Sequence, residues 1–262
     1  MLSQLINLNL FAFLLVFSRI GAAFTLLPGI GSKQVTMPAR LVFALAVSFV
    51  MTPALMEFLP AEPVAMSALV LLLASEITIG VFLGVIPRIF MSALQTTGTI
   101  MAMLASLSTM FAPDPIAEQQ SSALSAYLGL IAITLVFVTN THHLMIMAIV
   151  DSYNLFTPAD GPPIGDMADY LARQVSSSFR LGVQLSAPFI LAGLVYNLAI
   201  GIMGRLMPQL PIFFVGMPIQ IGLQIYLLAI SVSSIILVFM RYYTDGLQAL
   251  VGVQGLSLGQ GF

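Results

Sequence analysis

The sequence predicts an all-α membrane protein with about six long apolar helices and one further re-entrant or broken helical element. Of its 262 residues, 59% are hydrophobic and 7% are charged, and the mean hydropathy is +1.05. Soluble domains typically contain about 25% charged residues. The charges are too few to cover a fold of 28.0 kDa with a hydrated surface, so most of that surface is expected to face lipid or protein.

Six apolar runs, separated by charged or helix-breaking residues, account for the predicted helices. A helix needs about 20 apolar residues to cross roughly 30 Å of hydrocarbon. The runs cover residues 5–27, 41–57, 64–86, 122–149, 182–203 and 212–240. The first run is expected to be retained, because its first basic residue, Arg19, lies inside the run, whereas a signal peptide carries its charges in front.

A further stretch, about residues 89–111, differs from the six runs because polar side chains such as Gln95 and Thr99 interrupt it. We interpret it as a re-entrant element, since such backbone is tolerated at membrane depth where protein or a water-filled cavity surrounds it. With this count, Arg205 lies on the cytoplasmic side and the acidic loop 151–169 lies outside. This orientation agrees with the retention of basic residues on the cytoplasmic side.

Charge and cysteine content exclude several functional classes. Eight Lys and Arg against ten Asp and Glu leave no basic face for nucleic acid. The absence of cysteine excludes disulfides, thiolate catalysis and cysteine-based metal sites. The adjacent His142 and His143 point about 100° apart on a helix and are not expected to share a metal. No cofactor or metal is therefore expected, and no pairing of a nucleophile with a base predicts an enzyme.

Three ionisable residues lie within or at the end of apolar runs, namely Arg19, Glu76 and Arg88. Such residues are costly in a membrane, so they either pair or snorkel, or they line an aqueous passage or a subunit contact. Both interpretations remain open from the sequence. The second would suit a multi-span solute or ion transporter, an alternative weakened by the lack of matching broken segments in the two halves.

Small residues at helical spacing predict close helix packing in two places. Gly80 and Gly84 lie four residues apart in the third run, and Gly201 and Gly204 lie three apart at the end of the fifth run and just after it. Glycine allows two helix backbones to approach closely. The spacing does not tell contacts within the chain from contacts with other chains.

Methionine and phenylalanine side chains gather at the end of the polar stretch. The group consists of Met101, Met103, Met110 and Phe111, followed by Pro113. Thioether side chains are deformable, and a ring of apolar groups can close a pore by contact and dewetting. Core packing explains these residue types equally well, but their position after a stretch too polar for lipid favours a gasket.

A proline-rich hairpin tip joins the last two apolar runs. The residues that form it are Arg205, Pro208, Gln209, Pro211, Phe213, Phe214 and Gly216. Two prolines break the helix there, and the arginine and glutamine give the tip polar groups. A turn between two helices needs some proline and polar residues, but not this many of them. A docking tip for a cytoplasmic partner would explain why proline and polar residues are so frequent here.

The chain resembles the FliR family of flagellar export-gate proteins, called SctT in injectisomes. The resemblance covers essentially the whole chain. It includes the run from Arg19 through Pro28 to Arg40, the span with Glu76, Gly80 and Gly84, the Gly98 stretch, and Phe111 to Pro115. The most specific motif is Pro208-Gln209 followed by Phe213-Phe214-Val215-Gly216.

The resemblance implies a non-enzymatic subunit of a protein-conducting gate in the bacterial inner membrane, within the flagellar basal body. Residues 1–180 would form a FliP-like part with a gate-lining element at about 89–120. Residues 181–262 would form a FliQ-like helical hairpin with its tip at about 204–212. The implied partners are FliP-like and FliQ-like subunits, an FlhB-like switch protein at the tip, exported unfolded proteins and membrane lipid. The Met and Phe residues would line the gate.

Overall fold

The computed structural model describes residues 2–32, 34–61, 65–105, 123–158, 161–207, 209 and 212–251. Within these residues the chain is built from seven α-helices and a short 3-10 helix, Met56–Phe58, without strands. The helices are α1 Leu2–Leu26, α2 Met37–Leu55, α3 Met66–Leu104, α4 Ala123–Val138, α5 Thr141–Leu155, α6 Ile164–Leu206 and α7 Ile212–Val251. The all-α membrane class predicted from the sequence is confirmed.

Each of the six predicted apolar runs coincides with a helix or with a bent pair of helices. Four helices in the described residues are long and apolar enough to cross a membrane, in the ranges Met37–Phe58, Met66–Leu104, Ile164–Leu206 and Gly216–Val251. Helices α4 and α5 meet at an angle of 74°. If this bent pair is one broken span, the number of candidate spans in the described residues is five. The apolar part of α1, Leu10–Leu26, is shorter. The six runs are therefore apolar helices, of which four or five qualify as spans.

The broken element lies elsewhere than the sequence predicts. Residues 89–104 continue α3 as one helix instead of forming a separate re-entrant piece, and residues 106–122 lie outside the described residues. The bend occurs between α4 and α5, at Asn140, which has a φ of 58°. The predicted acidic loop at 151–169 is also shorter, because α5 ends at Leu155 and α6 begins at Ile164.

One compact unit comprises Met1–Phe90, Val136–Gln174 and Tyr243–Phe262. Its core is formed by buried side chains from several helices: Leu15, Ile20 and Phe24 of α1, Ile79 and Ile86 of α3, Met145 and Ile149 of α5, and Tyr243 and Leu247 of α7.

After α1, the Arg40 guanidinium binds the carbonyl oxygens of Ile30 and Ser32 at 3.1 and 3.0 Å. These bonds fix the Pro-Gly turn between α1 and α2.

The second unit comprises Met91–Leu135 and Val175–Tyr242. Here the second half of α3 packs against α4 and α6 through small and polar residues. The hydroxyl of Thr97 donates to the carbonyl oxygens of Ala93 and Gly182, and the hydroxyl of Ser125 donates to the carbonyl of Gln95 at 3.1 Å. A side chain at Gly98 would collide with the backbone of Ser125. The polar residues of this stretch are thus partly used for helix packing.

Candidate functional site

A buried ion pair between Arg19 and Glu76 joins α1 to α3. The Arg19 Nε lies 2.7 Å from one carboxylate oxygen of Glu76, and an Nη lies 2.8 Å from the other. Both side chains have a relative exposure of 0%. The guanidinium and the carboxylate therefore form a bidentate pair, a geometry that adds both energy and specificity to the ion pair.

Two glycines allow the helices to come close enough for this pair. A side chain at Gly80 would collide with the backbone carbonyl of Arg19, and one at Gly84 would lie 2.6 Å from the carbonyl oxygen of Ala23. The glycine spacing in α3 therefore serves packing against α1 within the chain. Gly201 and Gly204 differ, because an added methyl group would meet no described atom within 4 Å.

The remaining donors of Arg19 bind α5. One Nη donates to the hydroxyl of Ser152 at 3.0 Å, and the other donates to the carbonyl of Phe156 at 2.9 Å. The guanidinium carbon also lies 3.8 Å from the ring centroid of Tyr153. Phe156 caps the C-terminal end of α5, where a positive charge is favourable. Arg19 is thus the centre of a polar cluster that connects α1, α3 and α5.

The buried cluster fits a structural role better than a solute-binding role. Both oxygens of Glu76 accept hydrogen bonds from Arg19, and neither residue is exposed. A solute could bind there only by breaking the ion pair, which would leave a buried charge uncompensated at a cost of about 3–5 kcal/mol. Arg88 is exposed and is not part of this cluster.

The predicted gasket residues fall at the end of α3 and beyond it. Met101 is 1% exposed and belongs to the core, whereas Met103 is 67% exposed. Met110 and Phe111 lie outside the described residues. Gln95 and Thr99 are exposed as well, and their spacing of four residues places them on the same face of α3 as Met103. This face, Gln95, Thr99 and Met103, is called the polar α3 face.

The predicted hairpin tip is a connection between α6 and α7. Helix α6 ends at Leu206 and α7 begins at Ile212, so Phe213 and Phe214 belong to the first turn of α7. Arg205 and Gln209 are exposed, and Pro208 and Pro211 lie outside the described residues. Gly216 is buried and contacts Tyr196 of α6.

Two residues near the tip carry contacts that the sequence does not predict. The hydroxyl of Tyr196 donates to the carbonyl of Gly216, and the Gln220 amide donates to the carbonyl of Leu104 at 2.6 Å. A cavity of about 320 Å³ lies beside these bonds. Gln220 carries a sequence signal that could have indicated its contact, because it is a polar residue in an apolar helix two positions from Pro218 and from Gly222. Tyr196, which precedes Asn197, carries no comparable signal.

The two adjacent histidines lie at the start of α5 with their rings side by side. The ring centroids of His142 and His143 are 4.2 Å apart, and the His142 ring stacks on Phe137 at 5.0 Å. No group of three or more His, Cys, Asp or Glu in the described part of the chain is arranged to hold a metal ion.

Known proteins resemble this chain over most of its length. Residues 10–246 match a family described as bacterial export proteins, family 1. The flagellar biosynthetic protein FliR of Caulobacter vibrioides is 38% identical over 231 residues, covering 88% of this chain and 92% of that protein. FliR of Bacillus subtilis is 29% identical over 251 residues, covering 92% and 96%, and FliR of Escherichia coli is 30% identical over 215 residues, covering 80% of each.

Proposed function

The chain belongs to the family of bacterial export proteins, family 1, and from this premise we propose that it is a structural and gating subunit of the flagellar type III protein export channel. It is a membrane protein, and the proposed location is the bacterial inner membrane within the flagellar basal body. Its role is to form and seal the gate through which unfolded flagellar proteins pass. The proposed role is not enzymatic.

The polar α3 face is the observation that supports this function best. Gln95, Thr99 and Met103 are exposed on a helix apolar enough to span a membrane. An exposed amide in hydrocarbon lacks hydrogen-bond partners, which is costly. The face therefore suits an aqueous passage or a protein neighbour, and α3 leads directly into the proposed gasket.

The proposed gasket consists of Met101, Met103, Met110 and Phe111. Of these, Met103 is exposed at the end of α3, and Met101 supports that end from the core. Flexible thioether side chains can close around a narrow space and yield when a chain passes. The proposed gate-lining element extends over about residues 89–120.

Assembly with other subunits follows from the same proposal. We assign residues 1–180 to a FliP-like part and residues 181–262 to a FliQ-like hairpin, which would pack with FliP-like and FliQ-like subunits. Helix α6 supports this, because a chain of large apolar side chains is exposed along it: Leu191, Leu194, Leu198, Ile202 and Leu206. The exposed tip around Arg205 and Gln209 would face the cytoplasm and bind the FlhB-like switch protein.

Native mass spectrometry of the chain co-produced with its FliP-like and FliQ-like partners tests this function. The proposal predicts a hetero-oligomer of defined stoichiometry that contains this chain. Recovery only as a monomer or homodimer in the presence of abundant partners would contradict it. That result would favour the transporter alternative, for which exposed Arg88 would be the first residue to substitute.

A further inference from the structure

The C-terminal half of α6 presents an open groove in which two polar side chains lack a partner. The groove has a volume of about 560 Å³ and is lined by six exposed residues of this one helix: Leu194, Asn197, Leu198, Gly201, Ile202 and Arg205. The side chains of Asn197 and Arg205 form no hydrogen bond or ion pair with any other described residue. The groove belongs entirely to the unit that contains Val175–Tyr242.

Asn197 lies in the part of α6 that is apolar enough to cross a membrane. No charged residue occurs between Arg180 and Arg205, and residues 181–204 extend over about 36 Å as a helix. Asn197 is about 12 Å from Arg205 along the helix axis, so it lies well inside that stretch. An exposed amide in hydrocarbon has no hydrogen-bond partner, which is costly. Arg205, at the end of the helix, can extend to the membrane surface, so Asn197 is the residue that lipid leaves unsatisfied.

Gly201 forms the floor of the groove, four residues from Asn197 and four from Arg205. A methyl group added at Gly201 or at Gly204 would meet no described atom within 4 Å. Glycine at such positions allows another helix backbone to approach closely. In hydrocarbon, a helix is also the single segment that satisfies its own backbone polar groups. The shape of the groove therefore suits a neighbouring helix.

The chain contains one contact of this kind, between α3 and α1. In α3, Glu76 lies four residues from Gly80. Gly80 lies against the backbone of α1, and Glu76 forms an ion pair with Arg19 of that helix. In α6, Arg205 likewise lies four residues from Gly201, but that face is open. By the same chemistry, a helix seated on Gly201 is expected to offer Arg205 a carboxylate.

We propose that the groove binds an apolar membrane helix of a partner subunit, with a carboxylate opposite Arg205 and a hydrogen-bonding side chain opposite Asn197. This inference rests on the proposed function and specifies the chemistry of one contact in that assembly. The occupant is a protein helix because an acyl chain offers no partner to the Asn197 amide, and a lipid phosphate would satisfy only Arg205. Gln209 does not line the groove and remains available to the partner at the tip.

Substitution of Asn197 by leucine separates a protein occupant from lipid. Leucine has a similar volume and is more favourable than asparagine in hydrocarbon. If lipid covers the groove, Asn197→Leu should therefore assemble as well as the unsubstituted chain. If a partner helix covers it, the variant leaves the partner's polar group unpaired, and the amount of hetero-oligomer should fall about tenfold.

Filling the groove gives a second test with a matched control. Gly201→Leu places a large side chain on the floor and should also reduce the hetero-oligomer about tenfold, because overpacking an interface is costly. Gly222→Leu is the control, since Gly222 is exposed on α7 and a methyl group there also meets no described atom within 4 Å. The control should assemble normally. Each purified variant chain alone should unfold at the temperature of the unsubstituted chain, which shows that its fold is intact.

Charge reversal tests the predicted carboxylate. Arg205→Glu should reduce the hetero-oligomer, and replacement of one acidic residue in a partner's membrane helix by arginine should restore it. Arg205→Lys, which keeps the charge, should assemble better than Arg205→Glu. Normal assembly of Arg205→Glu would overturn the predicted pairing.

Photo-crosslinking identifies the occupant directly. A photo-reactive residue at Ile202, which lines the groove and is 59% exposed, should trap a partner polypeptide in the assembled complex. Cross-links to lipid alone, or normal assembly of both Asn197→Leu and Gly201→Leu, would overturn the proposal. Failure of the unsubstituted chain to form a hetero-oligomer would instead contradict the proposed function.

Discussion

Arg19 and Glu76, 57 residues apart in the chain, form a two-bond ion pair that is completely excluded from solvent. The pair connects α1 to α3, and Arg19 extends the connection to Ser152 and to the C-terminal cap of α5. A charge pair buried among apolar helices is stable only when its hydrogen bonds are satisfied. The geometry of this cluster therefore explains why two costly residues occur in apolar helices.

Removal of one member of the pair should destabilise the fold strongly. Glu76→Gln leaves the Arg19 guanidinium buried without a counter-charge, so the free energy of unfolding is expected to fall by about 3–5 kcal/mol. Thermal unfolding of the detergent-solubilised chain measures this. Glu57→Gln, at an exposed carboxylate, is the matched control and should have little effect. Equal unfolding temperatures for both variants would contradict the structural role of the pair.

The two glycine pairs should respond in opposite ways to alanine. Gly80→Ala forces a methyl group against the Arg19 carbonyl and the Ala22 side chain, so it should cost about 1–3 kcal/mol of stability. Gly201→Ala meets no described atom within 4 Å and should be neutral or slightly stabilising, because alanine favours the helix. The same thermal unfolding assay compares them. A destabilised Gly201→Ala chain with a normal Gly80→Ala chain would contradict the assignment of Gly80 to the α1–α3 contact.

Two threonines that are two residues apart in α3 should also differ. Thr97→Val removes a buried hydroxyl that donates to Gly182 in α6, so a loss of about 1 kcal/mol is expected. Thr99→Val removes an exposed hydroxyl that bonds only within its own helix in the described contacts, and stability should change little. If Thr99 faces an aqueous gate, its substitution should alter export without lowering the unfolding temperature. Indistinguishable variants would count against the division of this stretch into a packing face and an exposed face.

The orientation can be tested at the hairpin tip. A photo-crosslinking residue at Gln209, which is exposed, should trap the FlhB-like protein on the cytoplasmic side. The same residue at Asp166, exposed in the first turn of α6 at the other end of that helix, should not trap it. Labelling of position 209 only by a periplasmic reagent would reverse the predicted orientation.

The sequence was sufficient for the fold class because that class depends on composition and on the length of apolar runs. It also identified Arg19 and Glu76 separately, since ionisable residues are conspicuous in apolar helices. Their pairing could not be predicted, because nothing in a single sequence relates residues 57 positions apart.

The prediction of a re-entrant element at 89–111 is wrong over the described part of that stretch, and the reason is physical. Polarity indicates that the stretch avoids lipid, but this does not require a separate element, because Thr97 bonds to α6 and Gly98 packs against α4. Helix α3 therefore continues through them. The contacts of Tyr196 and Gln220 are not predictable from the sequence, because they depend on which backbone carbonyls of other helices lie beside them.

The apolar residues at and after the end of α3 are proposed to seal an export channel. The most direct measurement is dye and ion permeability of cells that overproduce the assembled complex with Met110 and Phe111 both replaced by glycine. Leu130→Gly, at an exposed leucine of α4, is the control for loss of a large apolar side chain. The double variant should assemble normally and leak, while the control should stay sealed. Unchanged permeability of the assembled double variant would contradict the gating role.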